Sequence, residues 1–281
     1  MRYAAIALLM AFGAEAAELP LPLQTSPEPP PATETPKLEF APDPDLRNPA
    51  WTYQECLQLS RKQPDKALEM AGKWVGLGGG EPAKHCQALA LVGLDEWGEG
   101  ATRLEELAAV SKQPNNVRVN MLAQAAQAWM LQGELSRAYA AQTTALIMIA
   151  QGSPQHLQLL LDRATTLVEA DQLDDALADI NTALRMEPNN PQVIAFRASA
   201  YRLKGDLDAA MKESERAVAA APGNVTALLE RGNMYRMEKR VDDARRDWLR
   251  ILELEPDSAE ADAARANIAR IDVDTRADVK D

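Results

Sequence analysis

The stretches LQLLLDRATTLVEADQLDDALADINTALRMEPNN (residues 157–190), PQVIAFRASAYRLKGDLDAAMKESERAVAAAPGN (191–224) and VTALLERGNMYRMEKRVDDARRDWLRILELEPDS (225–258) align without a gap at a period of 34. Four columns hold the same kinds of residue in all three. Position 8 is Ala164, Ala198 and Gly232; position 20 is Ala176, Ala210 and Ala244; position 27 is Ala183, Ala217 and Ile251; position 32 is Pro188, Pro222 and Pro256. A repeat of this length marks a solenoid, in which each unit buries its apolar face only against its neighbours.

Each unit reads as two antiparallel helices joined by a tight turn. Lys204-Gly205-Asp206 lies between two runs of helical apolar spacing, and Ala170-Asp171-Gln172 and Glu238-Lys239-Arg240 take the same place without glycine. Positions 8, 20 and 27 are small because helices approach closely there, and a large side chain would push them apart. Position 11 (Leu167, Tyr201, Tyr235) and position 24 (Ile180, Ser214, Trp248) supply packing volume. The proline at position 32 stops the second helix, and Asn189-Asn190, Gly223-Asn224 and Asp257-Ser258 offer turn and capping chemistry for the next unit.

This spacing and column set resembles the tetratricopeptide repeat family, whose units are helix-turn-helix pairs stacked into a right-handed superhelix. The likeness covers residues 157–258 strongly. Upstream, residues 119–152 place Ala126, Trp129, Gly133, Ala138 and Ala145 in the same columns, followed by four inserted residues, Ser153 to His156. Residues 81–114 fit more loosely through Leu89, Gly93, Trp97, Leu104 and Leu107, and residues 49–75 read as a shortened hairpin. The expectation is an all-α, right-handed superhelical solenoid of about five to six hairpins, with divergent N-terminal hairpins over 49–118 and regular units over 119–258. After Pro256, Ala261, Ala264, Ile268 and Ile271 share one face of a capping helix over 259–272, which leaves 273–281 as a charged, frayed tail.

The beginning of the chain carries a different message. Met1-Arg2, the apolar run Tyr3 to Gly13, and Ala14-Glu15-Ala16 have the charge, hydrophobic stretch and small-x-small site of a secretory signal peptide over residues 1–16. A buried helix or an uncleaved anchor is the competing reading. No cysteine follows the run, so lipid attachment is not expected, and no membrane-spanning segment is expected after cleavage. Residues 17–48 read as a proline-rich linker: ten prolines fall from Glu18 through Pro49, nine of them within the linker. As a straight polyproline II segment at about 3.1 Å per residue, that linker would reach on the order of 90–100 Å. Periplasmic or secreted localisation follows as the expectation.

The chain has 281 residues, of which 46% are apolar, and a formal charge of −12. Losing Arg2 and Glu15 with the signal leaves that charge unchanged. An acidic field of this kind repels nucleic acid and anionic lipid headgroups, so neither is expected as a partner.

Cys56 and Cys86 are the only cysteines. Each falls in the first helix of its own hairpin, and first helices of adjacent hairpins run about 8–10 Å apart, so an exported chain can join them as one disulfide. A redox pair is the rival, but it lacks Cys-x-x-Cys spacing. His85 and His156 have no ligand-spaced companions and read as ordinary histidines near hairpin ends, so no metal site or cofactor is expected. There is no Gly-x-Ser-x-Gly elbow and no phosphate or dinucleotide loop, and Gly76-Leu77-Gly78-Gly79-Gly80, with no strand before it, reads as a flexible joint. The acidic pairs Asp174-Asp175 and Asp242-Asp243 recur at one repeat position at the start of second helices, where they favour the helix dipole. An enzyme is not expected, nor is a small-molecule substrate.

In a stack of this kind the first helices line a concave groove, toward which positions 2, 5, 6, 9, 12 and 13 point. Position 6 gives Gln124, Asp162, Phe196 and Glu230; position 9 gives Gln127, Thr165, Ser199 and Asn233; position 12 gives Met130, Val168, Arg202 and Arg236. The last two units therefore present Phe196, Ser199, Arg202, Glu230, Asn233 and Arg236 as a candidate peptide-binding groove. The two arginines are expected as free donors to a carboxylate, and Phe196 as an apolar anchor. An ordinary solvated helix face is the alternative. The chaperone-binding members of the family hold a terminal carboxylate with lysine at position 5 and asparagine at position 9. Here position 5 is Ala123, Leu161, Ala195 and Leu229, and Asn233 matches alone, so that activity is not implied. The expected function is a non-enzymatic periplasmic scaffold that binds an extended peptide or partner protein, within an envelope-assembly complex. A structural or self-associating helical protein, or an accessory subunit of an enzyme, are the alternatives.

Overall fold

The computed structural model describes residues 49–278, so the signal-peptide and linker readings for residues 1–48 lie outside the described residues. Thirteen helices follow one another among those residues: α1 (Pro49–Lys62), α2 (Pro64–Gly76), α3 (Gly80–Gly93), α4 (Trp97–Val110), α5 (Asn115–Gln132), α6 (Leu135–Met148), α7 (Pro154–Glu169), α8 (Leu173–Met186), α9 (Pro191–Lys204), α10 (Leu207–Ala220), α11 (Val225–Met237), α12 (Val241–Leu254) and α13 (Ala259–Asp278). Odd and even helices pair as six hairpins, and α13 closes the stack against α12 and α11. This is the all-α superhelical solenoid expected from the period. The last helix continues past Asp272 to Asp278, beyond the end expected for it.

The turns repeat as closely as the sequence does. At position 15 the backbone turns left-handed in five successive units, at Asp95 (φ 63°), Gly133 (81°), Asp171 (59°), Gly205 (86°) and Lys239 (62°). In each, the next residue's N–H reaches back to the carbonyl at position 11: Glu96 to Leu91 (3.0 Å), Glu134 to Trp129 (2.8 Å), Gln172 to Leu167 (2.8 Å), Asp206 to Tyr201 (3.0 Å) and Arg240 to Tyr235 (2.9 Å). This six-to-one bond satisfies an orphan carbonyl of the first helix and sets the hairpin angle. Glycine adopts the conformation freely, whereas Asp95, Asp171 and Lys239 hold it at a cost. The side chains of Asn190, Asn224 and Ser258 then cap the first helices of the following units, accepting from Val193 N, Ala227 N and Ala261 N. Ser153, inside the four-residue insertion, caps α7 in the same way, so the insertion extends that helix at its N-terminal end.

Close approach explains the small columns. Ala164, Ala176, Ala183, Ala210, Ala217 and Ala244 are fully buried. Gly232 stands where an added Cβ would lie 2.5 Å from Nε1 of the fully buried Trp248, so the large residue at position 24 of that unit requires the small one at position 8. The core runs along the axis: separate apolar clusters surround Cys56 and Cys86, Trp129, Leu122 and Leu159, and a longer one extends from Leu161 to Ile271.

Cys56 on α1 and Cys86 on α3 form a disulfide, with Cα atoms 6.0 Å apart and both residues fully buried. It ties the first helices of the first two hairpins together, as the spacing suggested. The glycine-rich segment after α2 departs from the flexible joint expected of it. Its N–H groups are bonded, with Leu77 donating to Lys73 O, Gly78 to Val75 O and Gly79 to Trp74 O, which makes it a closed turn.

Candidate functional site

The first helices meet across units through a line of polar contacts. At the N-terminal end, Tyr53 Oη donates to His85 Nδ1 at 2.7 Å, and the ring's other nitrogen donates to Gln124 Oε1 at 2.7 Å, linking α1, α3 and α5. His85 is 6% exposed, and burial pushes its pKa below the ordinary value, so the imidazole stays neutral. Burial likewise pushes the Tyr53 phenol up to about 12. His85 is therefore an interior link between first helices, not the hairpin-end residue expected from its sequence position.

At the C-terminal end the expected groove residues divide. Phe196 is 2% exposed and packs in the long core cluster, so it offers no apolar anchor to a ligand. Glu230 is also 2% exposed and receives Arg202 through both oxygens, Nε at 2.9 Å and Nη2 at 3.3 Å. Burial works against the Arg202 charge, and the Glu230 carboxylate more than offsets it, so the guanidinium pKa lies above its ordinary value. Arg202 Nη2 also donates to Ser199 Oγ at 3.3 Å. Asn233 Oδ1 accepts from Asn267 Nδ2 of the capping helix at 3.0 Å. Position 6 thus faces the neighbouring first helix, where Gln124, Phe196 and Glu230 are all engaged, and Arg202 is committed inside the protein.

Arg236 differs from its counterpart. It is partly buried, its Nε has no hydrogen-bond partner, and it makes no ion pair among the described residues. Beside it runs a feature that reading positions 6, 9 and 12 alone overlooks. Position 13, also on the groove-facing list, carries Leu131, Leu203 and Met237, which are 41%, 46% and 43% exposed. Glu169 interrupts the row in the intervening unit. Its pKa is raised by burial, and its Oε1 is enclosed without a partner. One unit-wide apolar step, Leu203 to Met237, therefore lies alongside an arginine with unmet donor capacity.

A second feature escaped the sequence reading. Position 7 is Arg163, Arg197 and Arg231, and position 23 is Asp179, Glu213 and Asp247. Each arginine on a first helix pairs with the carboxylate on its own second helix at 2.7 Å. The outer two pairs are bidentate, with the second contact at 2.8 Å. In the upstream unit both positions are alanine, Ala125 and Ala141, and both are buried. The recurrence of opposite charges at 7 and 23 was the available signal, and it marks a structural clamp inside each hairpin.

Among the described residues, no group of three or more His, Cys, Asp or Glu side chains is arranged to hold a metal ion. No described helix is long and apolar enough to cross a membrane. The sequence pattern of the family described as tetratricopeptide repeat matches residues 161–225 and again residues 214–260. Residues 161–260 are tetratricopeptide repeats. Solved structures extend the same fold over more of the chain. The pilF protein of Pseudomonas aeruginosa is 15% identical with a TM-score of 0.55, covering 78% of this chain and 97% of its own. BtubC (BKLC) from P. vanneervenii is 14% identical with a TM-score of 0.54, covering 75% and 89%. A thermophilic tetratricopeptide repeat protein of Thermus thermophilus is 18% identical with a TM-score of 0.51, covering 68% and 97%. At such identities the likeness concerns the fold alone. Comparison with curated proteins yields no match.

Proposed function

We propose that this tetratricopeptide repeat protein is a non-enzymatic scaffold that holds an extended segment of a partner protein against its first helices. We place it in the periplasm, within an envelope-assembly complex. The observation that carries the binding reading is the exposed row Leu131, Leu203 and Met237 at one repeat position, next to Arg236. Large apolar side chains lined up at equivalent sites of a solenoid suit a ligand that runs along its axis. The export reading is supported by the residue pattern of Met1 to Ala16 and by the disulfide, which an oxidising compartment preserves.

The spacing specifies the ligand. First helices of neighbouring units pack at about 8–10 Å, and a chain in the polyproline II conformation advances about 3.1 Å per residue with three residues per turn, so side chains three residues apart share a face and meet successive units. A bound segment should carry apolar residues at i and i+3 over Leu203 and Met237, with a carboxylate near Arg236. Selection of a displayed random dodecapeptide library on the mature protein tests this. Enrichment of that pattern, and at least tenfold weaker binding to Leu203→Glu/Met237→Glu, are expected. Unchanged affinity in that double variant would place binding elsewhere.

A further inference from the structure

A solvent-open hollow of about 420 Å³ lies on the other side of the hairpins, between α8, α9 and α10, lined by Asn181, Leu184, Arg185, Pro188, Arg197 and Arg216. Three guanidinium groups face it in a protein whose net charge is −12. Their partners are few. Arg197 donates through Nη2 to Glu213 at 2.7 Å and through Nη1 to Asn181 Oδ1 at 2.9 Å, and its buried Nε has no acceptor. Arg216 shares the same Glu213 carboxylate at 3.3 Å and donates to Pro188 O at 2.5 Å. Arg185 is exposed, donates to Thr182 Oγ1 at 2.8 Å, and makes no ion pair among the described residues. One carboxylate thus serves two of the three arginines and Arg185 has none, which leaves the hollow with an excess of about two positive charges.

The internal repeat provides the control. In the flanking units the position-7 arginine is fully engaged, since Arg163 and Arg231 each bind their aspartate through Nε and Nη2. In the middle unit the longer Glu213 takes only Nη2, and Arg197 is left with a donor unspent. The other lining positions change as well. Position 29, which is Arg185 here, is Ile147 one unit earlier and Ala219 one unit later; position 25, Asn181 here, becomes Glu215 in the later unit. Position 26, which is Arg216 here, is Thr182 in the preceding unit, and Arg250 in the following one pairs with Glu253 at 2.8 Å. Among the described units compared, this junction alone lines one hollow with three arginines, two of which share a single carboxylate. A structural clamp requires only one of them.

We infer that this hollow is an oxyanion site, and that its ligand is a tetrahedral dianion of the phosphate class. Two negative charges match the local excess, and the guanidinium forks of Arg185, Arg197 and Arg216 can each donate to a phosphate oxygen. The hollow shares no lining residue with the exposed row Leu131, Leu203 and Met237, so its ligand is independent of peptide binding there.

The test is calorimetric titration of the full mature protein with inorganic phosphate, at an ionic strength held constant with sodium chloride. Saturable binding with a dissociation constant of about 1 mM or tighter is expected. Arg185→Gln, an exposed change that leaves the fold's contacts in place, should weaken it at least tenfold, and Arg216→Gln should do the same. Arg250→Gln, at the equivalent position of the next unit, should leave it unchanged. The proposal is overturned if wild type shows no saturable heat. Equal affinity in Arg185→Gln, or an equal loss in Arg250→Gln, would also overturn it, the latter by showing only general charge attraction.

Discussion

Removing Asp247 should destabilise the α11–α12 hairpin by about 1 kcal/mol more than removing Asp247 and Arg231 together. The pair makes two contacts, at 2.7 and 2.8 Å, with side chains 10% and 23% exposed. Hydrogen bonding to Asp247 raises the Arg231 pKa, so the guanidinium remains charged at any working pH. In Asp247→Ala that charge stays largely buried without its carboxylate. Breaking one side of a fully buried pair costs about 3–5 kcal/mol, and the remaining exposure of Arg231 brings the figure here to about 2–3 kcal/mol. The double change Arg231→Ala/Asp247→Ala recreates what the unit at 119–152 already has, Ala125 facing Ala141 in a packed core. It orphans no charge and should cost about 1–2 kcal/mol, from the lost packing of the Arg231 stem and of the guanidinium that lies 5.6 Å over the Tyr235 ring. A double-mutant cycle should therefore give a coupling of about 1 kcal/mol or more. A solenoid need not unfold in one step, so the readout should be hydrogen exchange of α11 and α12 alongside urea unfolding. Additive single costs, with no coupling, would refute the clamp.

Three further outcomes follow from named contacts. Cys86→Ser opens a bridge of sequence separation 30 and should cost roughly 2–4 kcal/mol, read as lost exchange protection in α1 to α3; in the non-reduced wild type neither thiol should alkylate. Asp162 is pushed by burial from 3.8 up to about 6, against the opposing hydrogen bond from Gln158, so its charged form costs stability above pH 6 and the cost vanishes as pH falls toward 4. Asp162→Asn should raise stability by about 2 kcal/mol at pH 7.5 and by nothing near pH 4; a gain independent of pH would contradict this assignment. Lys239→Gly relieves a left-handed residue at φ 62° and should stabilise by about 1 kcal/mol in thermal unfolding, whereas Gly205→Lys should cost a similar amount.

The fold was legible because a solenoid writes its contacts into columns. Small residues at positions 8, 20 and 27 and proline at 32 each record a local close approach or stop, and those contacts lie within one or two units. The left-handed turn was visible only where glycine fills it, at Gly133 and Gly205, and was hidden where Asp95, Asp171 and Lys239 bear the same backbone strain. The site was less legible for a physical reason. Whether position 6 faces a ligand or the neighbouring first helix depends on how closely the units stack, and here the stacking buries Phe196 and Glu230. Arg202 looked like a free donor because its partner lies 28 residues away in the next unit. The exposed row at position 13 could be read only once the neighbouring positions were known to be closed.

Hydrogen exchange of the protein, with and without the best displayed peptide, decides whether the position-13 face holds a ligand. New protection is expected to concentrate in α9 and α11, around Leu203 and Met237, and to be lost in Leu203→Glu/Met237→Glu. Protection confined to the second helices α8, α10 and α12, or unaffected by that double variant, would contradict it.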